Sequence, residues 1–341
     1  MKKKIISFLK IALPLAFGVF LIWYVFKDLK DDERDELINA FKGANYFWIL
    51  ASMILGVLSH LSRAERWKYT IRPLGKDPKF WNTFFTVMIG YVANYALPRL
   101  GEVTRPGLLA RYEKLSFNKL FGTIVAERVA DLIILGTIMM GILFMELDVL
   151  KDSVYLLLEQ SSGKFSPRNI MIVITAVVIA LGALFFFMLS KSTNPLFMKI
   201  REVLRGIYDG VLSILRMENK LPFILHTLFI WIMYIGMFYL CFFSLEETSS
   251  VSLSAVLAAF VMGSLSIVFV QGGLGVFPIA IMESLMLYGV SKTGALALGW
   301  ILWSSQTLMI IVLGVASIPL LRWYNRNNDV AENRDQSEED R

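Results

Sequence analysis

Two polar stretches, each broken by glycine and proline, constrain the fold of this chain most, because they interrupt an otherwise membrane-spanning sequence. The first is YALPRLGEVTRPG at residues 95–107, and the second is VQGGLGVFP at residues 270–278. Each stretch follows one apolar run and precedes another. Irregular backbone at membrane depth is tolerated only where protein buries it or where it lines a watery cavity. Two such breaks in corresponding positions of two halves predict a transporter's substrate site.

The composition predicts an all-α polytopic integral membrane protein. The 341 residues are 56% hydrophobic, with a mean hydropathy of +0.59, and several apolar runs are long enough to cross a bilayer. The formal net charge of +6 comes from basic residues spread over many short loops. That distribution favours an anionic lipid surface over a nucleic-acid groove, so we expect membrane phospholipids and no nucleic acid as partners.

The scarcity of cysteine and histidine excludes several kinds of site. Cys241 is the single cysteine, and His60 and His226 are the two histidines. An internal disulfide, a cysteine-rich zinc site and a Ser-His-Asp triad are therefore not expected. The chain also lacks a G-x-x-x-x-G-K-[ST] phosphate loop, so ATP is not expected to drive it directly. We expect no metal and no cofactor, and a transporter rather than an enzyme.

About eight hydrophobic segments make up a predicted membrane domain at residues 1–326, followed by a disordered polar tail at 327–341. Two of these segments, Phe80–Leu97 and Val251–Val270, lead into the broken stretches. Helical spacing of apolar residues over 196–217 predicts an amphipathic cytoplasmic helix. The six runs predicted to span the membrane are Ile11–Phe26, Tyr46–Leu61, Gly122–Met145, Ile170–Ser190, Leu221–Leu245 and Ala295–Leu321.

The placement of basic loops predicts the orientation, with both termini in the cytoplasm. The positive-inside pattern persists along the chain only if neither broken segment crosses the membrane. We therefore predict two re-entrant helical hairpins, 80–119 entering from the cytoplasm and 251–289 entering from outside. Their tips are predicted to meet near mid-membrane, which is the arrangement of an inverted repeat.

The first hairpin carries three ionisable residues, Arg99, Glu102 and Arg105, near its predicted tip. Charges at membrane depth are costly and indicate function. Both arginines suit a phosphate, because a guanidinium donates two parallel hydrogen bonds to it, and Glu102 can neutralise one arginine while the site is empty. A salt-bridged plug that only holds the hairpin together is the alternative.

Further ionisable residues begin the next long helix and end the second span. Glu127, Arg128 and Asp131 fall within about a 100° arc, so they should face the bundle and pair with Arg63, Arg99 or Arg105. A structural ion network is the alternative. Arg63 and Arg66 share a helix face at the predicted inner interface, where they can attract a lipid phosphate or act as positive-inside anchors beside a tryptophan belt.

The predicted tip of the second hairpin contains backbone amides, rather than charged side chains, that could bind an anion. Gln271, Gly272, Gly273 and Gly275 bring three glycines into four positions, where exposed amides can form a nest for an anion. The predicted substrate-binding set therefore combines this tip with the ionisable residues Arg63, Arg66, Arg99, Glu102, Arg105, Glu127, Arg128 and Asp131.

Four motifs together resemble the lysylphosphatidylglycerol synthase transmembrane family, also called flippase-like. They are Arg63-x-x-Arg66-Trp67, Leu97-Pro98-x-x-Gly101-Glu102-x-x-Arg105, Glu127-Arg128-x-x-Asp131 and Gly272-Gly273-x-Gly275, and their order and spacing cover residues 46–320. The chain departs from the family at Gln271 and Pro278, where the pattern often has a proline before the paired glycines and an acidic residue after the last one.

The resemblance implies a multi-pass protein of a bacterial or archaeal plasma membrane, a stand-alone membrane module without the soluble synthase domain. It implies a lipid flippase or scramblase that moves a phospholipid or another anionic-headgroup amphiphile between leaflets, with a lipid-modifying enzyme as a further partner. A membrane-embedded transferase and a permease for a small anion are the alternatives. The oligomeric state stays open, a homodimer included.

Overall fold

A computed structural model describes residues 30–97, 99–145 and 217–339, together with Phe20, Trp23, Lys27, Met198 and Ile214. Its contacts divide the chain into two compact units, one of residues 1–134 with 217–341 and one of residues 135–216. Of the second unit, the structure describes residues 135–145 and two isolated positions. The predicted spans Ile11–Phe26 and Ile170–Ser190 and the predicted helix 196–217 lie outside the described residues, apart from isolated positions.

The described residues are almost entirely helical and contain no strand, which confirms the all-α prediction. Their nine α-helices are α1 (Asp31–Gly43), α2 (Tyr46–Ile71), α3 (Phe80–Ala96), α4 (Leu100–Glu113), α5 (Phe117–Met145), α6 (Lys220–Phe242), α7 (Leu253–Phe269), α8 (Val276–Met286) and α9 (Lys292–Glu339).

Three described helices are long and apolar enough to cross a membrane: Tyr46–Leu74, Lys220–Phe242 and Lys292–Arg326. They contain most of three predicted spans. The fifth helix has 29 residues, which is ample length, but three ionised residues near its middle interrupt its apolar run. Among these four helices, α2 and α6 pack along each other.

The first broken stretch separates α3 from α4. Leu97 is extended, with φ −144°, because the residue before a proline avoids the helical region. Arg99 then takes a left-handed conformation, with φ 63°, and α4 begins. The side chain of Asn94 accepts a hydrogen bond from the Gly101 amide at 2.8 Å, so this new helix start has a partner for one of its free amides. The two helices pack together as a pair.

The second broken stretch separates α7 from α8 in a similar way. A short 3₁₀ turn, Gln271–Gly273, joins them, and Gly272, Gly273 and Gly275 all have φ between 67° and 74°. Only glycine adopts this region at little cost, which explains the glycine cluster. A β-carbon at Gly272 would lie 3.0 Å from the Tyr95 ring, so the tips of the two helix pairs touch. The indole nitrogen of Trp303 donates to the Gly272 carbonyl at 2.7 Å.

The far end of the first helix pair is held by buried polar groups. Glu113, at the end of α4, accepts hydrogen bonds from the Lys79 amide at 3.0 Å and from the Asn82 side chain at 2.7 Å. Asn82 in turn exchanges amide hydrogen bonds with Asn325 of α9, at 2.7 and 3.2 Å. The ends of α3 and α4 remote from the tip are therefore tied to each other and to α9.

The last helix, α9, continues to Glu339, whereas the sequence predicts a disordered tail from residue 327. Residues 320–339 contain neither glycine nor proline, and so nothing in them stops a helix. The predicted domain boundaries stay predictions.

Candidate functional site

Five ionised side chains, four of them buried and the fifth 13% exposed, lie together where α2, α4 and α5 meet, and we call them the charge cluster. They are Arg63 and Arg66 of α2, Arg105 of α4, and Glu127 and Asp131 of α5. Three guanidinium groups face two carboxylates, so the cluster carries one excess positive charge. An excess of buried positive charge attracts an anion, because the desolvated arginine gains more from a counter-ion than it would in water.

Both carboxylate oxygens of Asp131 accept hydrogen bonds from neighbouring arginines. Its carboxylate accepts hydrogen bonds from Arg63 at 2.9 Å and from Arg66 at 2.8 and 3.3 Å. Charge-assisted hydrogen bonds of this kind are about twice as strong as neutral ones. Asp131 therefore holds the two α2 arginines in place, one helical turn apart, against α5.

Glu127 is bound quite differently, although its side chain is only 1% exposed. One oxygen lies 2.9 Å from Arg105 Nη2 and the other lies 3.5 Å from Arg66 Nε. Neither contact has hydrogen-bond geometry, so both Glu127 oxygens lack a donor among the described residues. The short distances reflect charge attraction without alignment.

Arg105 is held by an aromatic face rather than by hydrogen bonds. Its guanidinium carbon lies 3.8 Å from the centre of the Trp67 ring, and the Trp67 indole donates to Thr123 at 2.8 Å. Its Nε and Nη2 are buried and have no hydrogen-bond partner in the described part of the chain. Trp67 is fully buried, so its predicted place in an interfacial tryptophan belt is wrong. Arg63 and Arg66 are likewise buried inside the protein.

The sixth helix supplies partners that the sequence-based prediction missed. Tyr234 accepts a hydrogen bond from Arg63 at 3.2 Å, and Thr227 accepts one from Arg66 at 3.2 Å. These two polar residues are seven positions apart in an apolar helix, and therefore on one face. That spacing is the signal that could have found them.

A small cleft opens beside the charge cluster. Arg105 lines it, as do Glu102 and Arg128, whose charged atoms are 3.9 Å apart and half-exposed. The backbones of α3 and α4 nearly touch at its edge, where a β-carbon on Gly101 would collide with the Gly90 carbonyl. The other lining residues are Val87, Gly90, Tyr91, Asn94, Gly101 and Ile124.

Two groups of predicted site residues lie elsewhere. Arg99 is exposed at the first tip, in the left-handed turn before α4, and forms no ion pair with a described residue. Of the second tip, Gly272 contacts Tyr95, and Gly273 packs on Phe277 of its own helix pair. The backbone at Gln271 and Gly275 completes this turn, outside the charge cluster.

Within residues 30–97, 99–145 and 217–339, no group of three or more histidine, cysteine, aspartate or glutamate side chains is arranged to hold a metal ion. The two carboxylates of the charge cluster are already occupied by arginines. What the arrangement offers chemically is guanidinium N–H groups beside a polar cleft.

Comparison with known proteins gives one family and two curated relatives. Residues 11–314 match the family described as "Lysylphosphatidylglycerol synthase TM region". A UPF0104 membrane protein of Methanothermobacter thermautotrophicus is 23% identical over 307 residues, which is 83% of this chain and 88% of the relative. A UPF0104 membrane protein of Methanocaldococcus jannaschii is 31% identical over 100 residues, 28% of this chain and 30% of that relative. No solved structure matches.

The family match takes in both broken stretches and the whole charge cluster, and the described helices agree with it. The chain is thus a multi-pass membrane protein that belongs to the lysylphosphatidylglycerol synthase transmembrane-region family.

Proposed function

We propose that this protein is a lipid translocase, a flippase or scramblase that moves an anionic-headgroup amphiphile between leaflets. The observation that carries the proposal is the charge cluster itself, which has one excess positive charge and, beside a cleft, buried guanidinium N–H groups that donate no aligned hydrogen bond. Buried donors of this kind are rare in proteins and call for a partner. A phosphate presents several acceptor oxygens and fits the guanidinium fork.

A lipid is favoured over a small soluble anion because the family is named after a phospholipid-synthesising enzyme. On this proposal the phosphate of the headgroup enters the cleft while the acyl chains stay among lipids. Glu102 and Arg128, half-exposed near the cleft's mouth, form a second charged pair that the headgroup meets. Membrane phospholipids are then the partners of the chain, together with a lipid-modifying enzyme that supplies the headgroup.

The path proposed for the headgroup runs between two re-entrant hairpins. At 1.5 Å per residue, the 11 residues of α8 extend about 16 Å and the 14 residues of α4 about 21 Å, against a hydrocarbon core of about 30 Å. Helices this short are better suited to re-entrant hairpins, which enter the membrane and return to the same side, than to separate membrane-spanning segments. The contact of Tyr95 with Gly272 supports tips that meet within the protein. Basic loops favour cytoplasmic termini.

The test is a leaflet-resolved flux assay in proteoliposomes of phosphatidylcholine that contain a trace of fluorescent phosphatidylglycerol. Arg105→Ala should lower flux about tenfold or more, and Arg105→Lys should keep a part, because a lysine keeps the charge without the planar fork. Arg111→Ala changes an exposed arginine of the same helix and should leave flux unchanged. Equal flux in all three variants would refute the assignment of Arg105.

The same assay separates the alternatives. A membrane-embedded transferase would convert the lipid chemically, which thin-layer chromatography of the recovered lipid would show. A permease for a small anion would move entrapped phosphate and leave the lipid distribution unchanged. Either result, without lipid flux, would overturn the translocase proposal.

A further inference from the structure

The two carboxylates of the charge cluster are bound so differently that they cannot have the same role. Asp131 accepts three hydrogen bonds from two arginines. Glu127 accepts none from the described residues, although it lies on the same helix, one turn away, and is more deeply buried. A buried carboxylate without hydrogen bonds bears the cost of its own desolvation, and charge attraction alone recovers only part of that cost. Of the two, Glu127 is therefore the one that a better ligand can replace.

The partner of Glu127 is prepared to stay in place when the carboxylate leaves. Arg105 is stacked on Trp67 at 3.8 Å, and Trp67 is fixed by its hydrogen bond to Thr123. The plane of the guanidinium thus does not depend on Glu127. Its Nε and Nη2 lack hydrogen-bond partners, and Arg105 lines the cleft. These two donors are buried while Glu127 is in place, and they form a fixed fork for an anion that replaces it.

The Glu127 carboxylate also has an alternative partner in Arg66. Asp131 uses both terminal nitrogens of Arg66, and this leaves Arg66 Nε without an acceptor among the described side chains. That nitrogen lies 3.5 Å from Glu127 Oε1. A change in the side-chain torsions of Glu127 is sufficient to exchange contact with Arg105 for alignment with Arg66.

We propose that Glu127 is a displaceable counter-ion, which neutralises Arg105 while the site is empty and gives way to the phosphate of an anionic headgroup. This inference rests on the proposed function, because it takes the anion in the cleft to be the translocated amphiphile. Glu127 is then a positioning residue for transport. It competes with the bound phosphate and so promotes its release, and it keeps Arg105 from being left buried and unpaired.

The test compares anion binding and flux in Glu127→Gln and Glu127→Asp with the wild type. The probes are short-chain phosphatidylglycerol and, separately, inorganic phosphate, each titrated into the full-length protein in detergent. Glu127→Gln removes the competing charge and should tighten phosphatidylglycerol binding about tenfold while lowering flux, because release becomes slow. Glu127→Asp draws the carboxylate back from Arg105 and should tighten binding by a smaller factor. A lipid site should bind the phosphatidylglycerol more tightly than the inorganic phosphate in every variant.

The matched control is Glu113→Gln, another buried carboxylate, whose oxygen accepts two hydrogen bonds at the base of the first helix pair, outside the charge cluster. It should leave the affinity for both probes unchanged. Equal or weaker phosphatidylglycerol binding in a folded Glu127→Gln protein would overturn the counter-ion role while wild-type flux leaves the translocase proposal standing. Failure of both Glu127 variants to fold would make Glu127 a structural ion and overturn the role as well. Absence of wild-type binding and flux would instead refute the proposed function.

Discussion

Changing Asp131 to asparagine tests whether the charge cluster stabilises the folded bundle, in addition to its proposed role in binding an anion. The substitution keeps the size of the side chain and removes its charge, so Arg63 and Arg66 lose the carboxylate that accepts three of their hydrogen bonds. Breaking a buried ion pair by removing one partner costs about 3–5 kcal/mol. The Asp131 side chain is 13% exposed, which allows some solvent screening and favours the lower end, about 3 kcal/mol.

This free-energy loss corresponds to a fall of roughly 6 °C in Tm, taking about 2 °C per kcal/mol for a chain of this size. The measurement is thermal unfolding of the purified protein in detergent, followed by intrinsic tryptophan fluorescence. Glu102→Gln is the matched amide change at a carboxylate whose ion pair is 3.9 Å long and half-exposed, and it should shift stability by less than about 0.5 kcal/mol. If Asp131→Asn unfolded within 1 or 2 °C of Glu102→Gln, roughly the error of such a scan, the strength assigned to these hydrogen bonds would be wrong.

Two further predictions concern helix packing and orientation. Gly101→Ala should lower stability by about 1–3 kcal/mol, since its β-carbon would meet the Gly90 carbonyl, whereas Gly107→Ala in the same helix faces open space and should be neutral or stabilising; equal Tm values would contradict the close approach. Asp77 and Ser250 are both exposed. A cysteine introduced at Asp77 should react with an impermeant maleimide only from the cytoplasm, and one introduced at Ser250 should react only from outside. The background should be low, because the native Cys241 is buried. Labelling of position 77 in intact cells would reverse the proposed orientation.

The helical character and the composition of the cluster could be predicted because both follow from local rules. Apolar runs of sufficient length predict spanning helices, and a carboxylate inside such a run has to face protein. The predicted pairing of α5 carboxylates with Arg63 and Arg105 agrees with the distances of 2.9 Å that the structure gives for both. The breaks at Leu97 and at Gly272 also follow from local chemistry, since proline and glycine fix the backbone there.

The sequence could not show the features that depend on tertiary packing. Arg99 and Arg105 are six residues apart and look equivalent in the sequence, but Arg99, in the left-handed turn before α4, is exposed and Arg105 is buried. Trp67 looks like an interfacial anchor, because nothing in its neighbours reveals that a guanidinium will stack on it. The sequence also could not show that Asp131 would accept hydrogen bonds while Glu127 would not. That difference depends on side-chain torsion angles, which no spacing rule predicts.

The buried polar tie between Asn82, Glu113 and Asn325 has a mechanical consequence for the first helix pair. It clamps the pair at its base, where each polar group has a hydrogen-bond partner shielded from water. At the opposite end, the ring of Tyr95 packs against Gly272, and its hydroxyl lies 3.2 Å from the hydroxyl of Thr307. Directional hydrogen bonds shielded from water therefore anchor the base of the first helix pair to α9.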